Sequence, residues 1–559
     1  MPLCITIPSS KSISNRALIL ASLGDSLIIL KNVLWSEDIE FLRSALEKMG
    51  VEFNDLNKTD VKIIPPKNGL TVANGDFFIG NGGTPARFLV ALSLIIHGKF
   101  RLHGVDRMHE RPFEDLFKAI ESLGVEVQYE QKPYFLPAVI EGTGGEITKK
   151  NIKISGKISS QFVSGLLLAA SGIKNPLQID IEGNIPSRPY VNMTQELLRI
   201  WDVKLSSDGT FFAITPTIKN PEIFSVPADC SSASYPMAYA ILKKSPITIK
   251  NFGKKTLQGD EKFLKIAESF GAKIDRTEDS VTIKPAKKNT ASGKTLDFST
   301  IPDTAMTGMI LGAATAGKTH FIGLESLRVK ECDRIDAMAK GLQKLGVEVV
   351  VDGDEVTIVG TGKISAEKNL TIDSRSDHRI AMVFGVLRSA LGLDFKINDE
   401  ECVKKSWPDF WLDLAFWEGA LRPVASVILS RENNGKTEYL IVKKPRKDHA
   451  WQFPQGGVND GETSVRAATR ELAEECGADL QYKLIDDDPV DTYRYFFPED
   501  FDRHDPKIRG AKVLFFRAKY VSGDVQVDGT EIIDYRWVEK EDLAEFFSTE
   551  YMGAVKIKG

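Results

Sequence analysis

Two groups of side chains in this sequence could do chemistry, and they carry opposite charge. In "RELAEECG" (470–477), Glu471, Glu474 and Glu475 stand at i, i+3 and i+4. A helix would put all three on one face, where like charges at that spacing repel. Such a face gains a purpose if it holds a hard divalent cation such as Mg²⁺, which favours carboxylate oxygen and water. The bound charge would cancel the repulsion. The second group is cationic and dispersed through the preceding residues. Short polar stretches rich in Lys or Arg, in Ser, Gly or Asn, or in both recur: "PSSKSISNRA" (8–17), "GNGGTPARF" (80–88), "DRMHERP" (106–112), "SSQF" (159–162), "PSRPY" (186–190), "RVKECDR" (328–334), "SDHR" (376–379) and "KKSWPD" (404–409). Hydroxyls and exposed backbone N–H groups beside cations are what phosphate oxygens require. Several such loops in one chain imply a pocket for more than one anionic group.

Those loops need a scaffold, and the sequence repeats one. A β-rich run, a polar turn and an amphipathic helix end in Gly or Asp, then a β-branched or small apolar residue. The helix ends read "ALEKMGVEF" at 45, "AIESLGVEV" at 119, "LLRIWDVKL" at 197, "IAESFGAKI" at 266 and "GLQKLGVEV" at 341, with a truncated sixth, "FWLDLAFWEG", ending near Gly419. The spacing, roughly 70–80 residues, is too long for a solenoid and suits a small βαβ-containing subdomain. Six units predict an α/β protein of two pseudo-symmetric lobes, with a ligand cleft between them. Beyond "WEGALRP" the pattern changes. Gly419 and Pro423 punctuate, "VASVILS" and "TEYLIVKK" read as a strand pair around "RENNGK", and one long helix follows at about 463–476. The last 140 or so residues read as a separate domain.

Composition sets the class. The chain has 559 residues, 42% hydrophobic and 27% charged, with a net charge of −5, so nothing in its global charge calls for nucleic acid. Its five cysteines, 4, 230, 332, 402 and 476, are scattered without C-x-x-C spacing and read as reduced thiols of a cytoplasmic protein. No apolar run approaches membrane-spanning length. "ITIPSSKSISNRALILASLG" reads as strand, loop and helix from Ile5, so no signal or transit segment is expected.

In order and identity, the cationic stretches resemble the motifs of the EPSP synthase (3-phosphoshikimate 1-carboxyvinyltransferase) family over residues 1 to about 418. The resemblance implies two lobes of three subdomains, lobe one from about 1–10 plus 229–418 and lobe two from about 11–228, with "ADCSSASYP" (228–236) re-entering the first. It implies a monomeric, cofactor-free transferase of the shikimate pathway that moves enolpyruvyl from phosphoenolpyruvate to the 5-hydroxyl of shikimate 3-phosphate. Roughly four to five negative charges must then be neutralised, at up to two per phosphate. By resemblance Lys11, Arg107, Arg334, Arg379 and Lys405 surround phosphoenolpyruvate, assisted by Asn81, Gly83 and Gln161. Ser12, Arg16, Ser159, Ser160, Ser187, Tyr190 and Lys330 hold shikimate 3-phosphate. Asp303 and Glu331 match the family's acid/base carboxylates, Asp303 against the reacting hydroxyl and Glu331 near the methylene beside Lys11. Ser326 replaces an Asn that often contacts the substrate phosphate, and Phe88 replaces a common Pro after Arg87. The sister family acting on UDP-N-acetylglucosamine is the alternative. It usually has Lys-Asn where this chain has Lys11-Ser12, and a reactive loop cysteine that none of the motifs quoted above supplies in the matching place.

The C-terminal stretch "GGVNDGETSVRAATRELAEECGA" resembles the Nudix box, from Gly456 through Glu462 to Arg470-Glu471 and Glu474-Glu475. The resemblance implies a Nudix α/β/α sandwich over 424–559 and a Mg²⁺ (or Mn²⁺) site. Glu471, Glu474 and Glu475 would be its ligands, with the backbone of Gly457 and, outside the box, Glu531; Arg470 would pair back to Glu462. "WQFPQGG" (451–457) and "YRYFFP" (493–498) resemble the branch that cleaves dinucleoside polyphosphates or RNA 5′-triphosphate ends. Lys443, Lys444, Arg446 and Lys447 could meet phosphates or form a solvated hairpin. A non-catalytic binding module is the alternative, although such modules tend to lose the glutamates.

Overall fold

Each repeat builds one small sheet around a crossover helix. A computed structural model describes residues 2–555, apart from 156–158, 184, 186, 288–292, 446–450, 460, 499–504, 506, 528, 549–550 and 553–554. The chain divides into two compact units, Met1–Phe410 and Trp411–Gly559. Among the described residues the first unit holds five four-stranded sheets and one two-stranded sheet. In the four-stranded sheets a parallel pair adjoins an antiparallel pair. Thr71–Phe78, for example, runs parallel to His97–His103, which pairs antiparallel with Ala138–Thr143 and through it with Glu126–Tyr129. A parallel pair requires a crossover, and the helix Gly83–Leu92 supplies it. The sixth sheet, Thr371–Ile372 beside Lys396–Ile397, keeps only the parallel pair.

The helix ends read from the sequence close as expected. Gly50, Gly124, Gly271 and Gly346 take positive φ after their helices, and Asp202 does so in the third repeat at φ 56°. Glycine meets no steric penalty there and aspartate tolerates it. Threading is not sequential. Leu3–Ile5 pairs parallel with Ile247–Ile249, while Ile28–Lys31 takes Ile223–Ser225 as its parallel partner. The chain therefore passes from one lobe to the other and returns.

Three helices form the centre of each lobe. Lys11–Leu23, Gly83–Leu92 and Ser160–Ala170 pack together, as do Cys230–Lys243, Ala305–Ala313 and His378–Leu391. They are buried on nearly every side, which is why their sequences are apolar or small all round rather than amphipathic. One contiguous apolar cluster, from Ile13 to Val226, fills the second lobe.

The second unit opens within the helix Phe410–Glu418, whose Asp413 accepts from Arg494 and whose Glu418 accepts from Arg509. At its centre Leu421–Asn433 runs parallel to Gly510–Ser522 in an eight-stranded sheet. Period-two alternation explains the layers. Ala425, Val427, Leu440, Val442 and Phe516 face the helix Ser464–Cys476 through Ala467, Ala468 and Leu472. Val424, Ile428, Tyr439, Ile441, Val513 and Phe515 face the opposite way, onto Leu543, Phe547 and Val555. Both faces are covered, so both registers of each strand are apolar.

Candidate functional site

The six inner helices start at Lys11, Gly83, Ser160, Cys230, Ala305 and His378, and five of these starts supply a cavity. Lys11, Ser12 and Arg16 come from the first helix, Gly83, Thr84 and Arg87 from the second, and Ser159, Ser160 and Gln161 from the third. Asp303 precedes Ala305, and His378 and Arg379 open the last. Ser187 and Tyr190 begin the outer helix Arg188–Ile200, Arg334 begins Arg334–Lys344, and Ser326, Lys330 and Glu331 lie just before it. Helix N-termini carry partial positive charge and unpaired N–H groups, so their convergence favours anions before any side chain is counted. Side-chain caps hold four of them: Ser10 accepts from the Ile13 amide, Ser159 from Gln161, Asp333 from Asp336 and Asp377 from Arg379.

The charged side chains are tightly cross-braced. Arg16 is buried, donating from Nε to Thr194 Oγ1 at 2.7 Å and from Nη2 to Ser164 Oγ at 3.2 Å, with its guanidinium 5.1 Å from the Phe88 ring centre. Phe88, the departure noted above, thus backs a cavity arginine. Arg334 is buried too, donating to Asp377 Oδ2 at 2.7 Å, Glu331 Oε2 at 2.8 Å and Asp303 Oδ1 at 3.1 Å. Arg379 Nη2 reaches the other Asp303 oxygen at 3.2 Å, and Lys330 Nζ stands 3.3 Å from Oδ1. Burial alone would raise the proton affinity of Asp303, but Arg379, Lys330 and Arg334 hold it far below the usual carboxylate range. For Glu331 burial is likewise overridden, by Lys405, Arg334 and Arg111. Both carboxylates are ionised here.

One pair of cations has no such partner. Arg87 and Arg111 are each 3% exposed, and the Nε of each lacks an acceptor among the described residues. Arg87 Nη1 donates to Gln161 Oε1 at 2.7 Å and Arg111 Nη1 to the Asn81 carbonyl at 3.1 Å. Burial, and then the charge of Arg111, depress the proton affinity of Arg87 well below the usual guanidinium range. Gly83 makes the pairing possible, because a Cβ there would lie 2.5 Å from Arg111 Nη2 and 2.6 Å from Arg87 Nη1. Two buried guanidinium groups with free donors call for a carboxylate or phosphate.

The structure does not bring every expected residue to this cavity. Arg107 lies outside it, donating to Glu110 Oε2 at 2.8 Å and to the Lys330 carbonyl at 3.2 Å. With Asn81 and Lys405 it lines a neighbouring cavity, of which Glu331 is also a wall. Lys405 Nζ stands 3.2 Å from Glu331 Oε1 and donates to the Asn81 carbonyl at 2.7 Å. Arg111, four residues on in "DRMHERP", lines the first cavity instead. Pro112 was the usable signal: a residue before proline is kept extended, and Arg111 has φ −74° and ψ 141° just after the short helix Asp106–Glu110. His378 was also missed. It is 1% exposed, neither ring nitrogen makes a hydrogen bond among the described residues, and burial and Lys11 keep it neutral. Asp38, again unforeseen, accepts from Lys11 Nζ at 2.9 Å.

In the second unit the glutamates do share one face of Ser464–Cys476, and protein cations hold them. Arg470 donates to Glu462 Oε1 and Oε2, both at 3.0 Å, to Glu471 Oε1 at 2.7 Å, to Glu474 Oε2 at 2.8 Å and to the Gly457 carbonyl at 2.8 Å. That carbonyl, expected to face a metal, is engaged by Arg470. Gly456 is the glycine pressed against the Glu471 carboxylate, where a Cβ would collide with it. Glu475 is 1% exposed and accepts from Lys444 Nζ and, at 3.2 Å, from the Gln455 amide. Burial pushes Glu475 up to about 7 against the pull of Lys444. Lys444, itself buried, also stands 3.6 Å from the exposed Glu531. Lys443 lies 5.7 Å from the Trp451 ring, while Arg446 and Lys447 fall outside the described residues. No group of three or more His, Cys, Asp or Glu converges on one point among the described residues. The donor set nevertheless fits a hard divalent cation: Glu471, Glu474, Glu475 and Glu531 supply carboxylate oxygen, and Arg470 and Lys444 stand where positive charge is required.

Two lobes of repeated α/β subdomains with a cationic pocket at their helix starts define a recognisable architecture. Two solved EPSP synthase structures from Acinetobacter baumannii share it, with TM-scores of 0.62 and 0.61 at 24% and 23% identity, each covering 74% of this chain and 95% of the other. The profile of EPSP synthase (3-phosphoshikimate 1-carboxyvinyltransferase) matches residues 4–414. Relatives named 3-phosphoshikimate 1-carboxyvinyltransferase include one from Neisseria meningitidis serogroup B, 34% identical over 413 residues (73% of this chain and 94% of the relative). Another, from Herminiimonas arsenicoxydans, is 35% identical over 424 residues, covering 74% of this chain and 94% of that protein. The chain belongs to the EPSP synthase family. Residues 420–554 match the NUDIX domain.

Proposed function

We propose that the first unit transfers enolpyruvyl from phosphoenolpyruvate to the 5-hydroxyl of shikimate 3-phosphate, a step of aromatic biosynthesis, releasing phosphate. The observation that carries this reading is the unpaired Arg87–Arg111 couple beside two carboxylates pinned in ionised form. Lys11, Arg111, Arg334 and Arg379 would surround phosphoenolpyruvate, with Gly83 and Gln161 assisting, and Lys405 and Asn81 would approach it from the neighbouring cavity that shares Glu331. Ser12, Arg16, Ser159, Ser160, Ser187, Tyr190, Ser326 and Lys330 would hold shikimate 3-phosphate. Asp303 takes the hydroxyl proton as the oxygen adds to the enol carbon, and the methylene is protonated beside Glu331 and Lys11. The tetrahedral adduct then loses phosphate and a proton. Incoming anions compete for the cations that hold the carboxylates ionised, so substrate binding raises the proton affinity of both groups and brings it nearer the working pH. Product formation from the two substrates, followed by ³¹P NMR, tests the assignment; no product from folded protein would refute it.

For the second unit the reading is Mg²⁺-dependent hydrolysis of a nucleoside polyphosphate or an RNA 5′ end, supported by the face of Glu471, Glu474 and Glu475 and by the NUDIX match. The metal would polarise phosphate and activate water. Glu471, Glu474, Glu475 and Glu531 would hold it once freed from Arg470 and Lys444. A panel of dinucleoside polyphosphates and triphosphorylated RNA with Mg²⁺ tests this. Metal binding without any hydrolysis would favour a binding module.

A further inference from the structure

Behind Asp303 lies a second buried carboxylate that the reaction above does not use. Asp260 is 1% exposed, in the turn Gly259–Lys262. Gly259 packs so closely on Pro189 that a Cβ there would collide with the ring, which fixes the turn against the start of the helix carrying Tyr190. The Tyr190 hydroxyl lies 3.3 Å from Asp260 Oδ1 and 3.4 Å from Asp303 Oδ2. Ser231 Oγ donates to the same Asp260 oxygen at 2.8 Å.

A phenol has one proton, and here two carboxylates compete for it. If Asp260 carries its own proton, it can donate to the phenol oxygen while Tyr190 donates to Asp303. If Asp260 is ionised, the Tyr190 proton can turn to it and leave the Asp303 oxygen free. We propose that Asp260 is a positioning residue for proton transfer at Asp303, acting through the direction of the Tyr190 hydroxyl. The inference rests on the transferase reading and deepens it.

The groups facing Asp260 support a working switch. Burial and then the charge of Asp303 raise its proton affinity to about 6, Asp229 adds to this, and Ser231 and Arg379 oppose it. Asp303, facing Arg379, Lys330 and Arg334, stays ionised throughout. Tyr190, held by burial and both aspartates, keeps its proton. Below about 6 a protonated Asp260 therefore directs the phenol at Asp303 and weakens it as a base; above that value the restraint is released.

The test is the pH dependence of kcat from 5 to 8 for wild-type protein, Asp260→Asn and Tyr190→Phe at saturating substrates. Substrate phosphates titrate in the same range, so the quantity read is the ratio of variant to wild-type kcat. An amide cannot ionise and so never competes for the phenol proton as a carboxylate does, which leaves Asp260→Asn in the neutral, restrained state at every pH. Its ratio should fall from near one at pH 5 to roughly a third to a tenth at pH 8, the size of one hydrogen bond. Tyr190→Phe removes the link, so its ratio should fall by a similar factor, whatever its absolute level. Should Asp260→Asn fail to fold, Tyr190→Phe carries the same reading. A pH-independent ratio in the folded variants would mean a merely structural role and overturn the inference. Wild-type protein that makes no enolpyruvyl product would instead overturn the functional reading beneath it.

Discussion

The two units solve inverse problems. In the first, helix starts and arginines gather positive charge for anionic ligands; in the second, one helix gathers negative charge for a cation. Each already holds part of the opposite charge: Asp303, Glu331 and Asp377 brace Arg334, while Arg470 and Lys444 brace the glutamates. They differ in construction. The cationic pocket draws residues from many elements across hundreds of positions, whereas the acidic site takes three of its four glutamates from one helix. The first site is spread over rigid helix starts, whereas the second lies along one helix, from the exposed Glu474 to the buried Glu475.

The comparison breaks most readily at the proton-transfer groups. Asp303→Ala and Glu331→Gln should each lower kcat for enolpyruvyl transfer by ~10²–10⁴, with a smaller change in KM, and leave nucleotide hydrolysis untouched. Near-normal turnover in steady-state assays would contradict their role. Next in size is the unpaired arginine. Arg111→Ala removes a buried cation meant to pair with a substrate anion, so kcat/KM for phosphoenolpyruvate should fall by about 2–5 kcal/mol. Arg107→Ala, at a partly exposed pair with Glu110, should cost under about 1 kcal/mol. The reverse order in parallel kinetics would restore Arg107 to the pocket.

Arg470→Lys sharpens the acidic side. Lysine keeps the charge but cannot replace a fork that meets Glu462, Glu471, Glu474 and the Gly457 carbonyl together. Calorimetry should show Mg²⁺ affinity weakened by roughly 10–100-fold, as for other groups that orient metal ligands. The smallest effect should be that of separation. Residues 1–418 expressed alone should keep transferase activity, and an insoluble or inactive product, where the full chain works, would show the units depend on each other.

The sequence was most legible where a site is local. Glu471, Glu474 and Glu475 could be set on one helix face by counting, and the helix Ser464–Cys476 puts them there. The repeat was legible for the same reason, since each Gly or Asp marks a helix end within its own unit. The pocket was not legible by counting. Its residues are far apart in the chain, so they were found by motif, and motif cannot choose between Arg107 and Arg111 in one heptapeptide. The choice depends on backbone direction at Pro112. His378 and Asp38 were overlooked because a lone His or Asp has no periodic signature; only burial against Lys11 marks them. Lys444 was placed in a surface run, yet it is buried against Glu475, a contact between a strand end and a helix that no local pattern encodes.

The central claim is that one chain carries two independent sites, one built to take anions with protein cations and one needing a divalent metal. Enolpyruvyl transfer and nucleotide hydrolysis should be measured side by side on the intact chain, in EDTA and after Mg²⁺ is restored, with Glu474→Gln and Glu475→Gln as controls. EDTA and either substitution should abolish hydrolysis while transfer is unchanged. Transfer lost in EDTA and recovered with Mg²⁺, or lost in the glutamate variants, would contradict it.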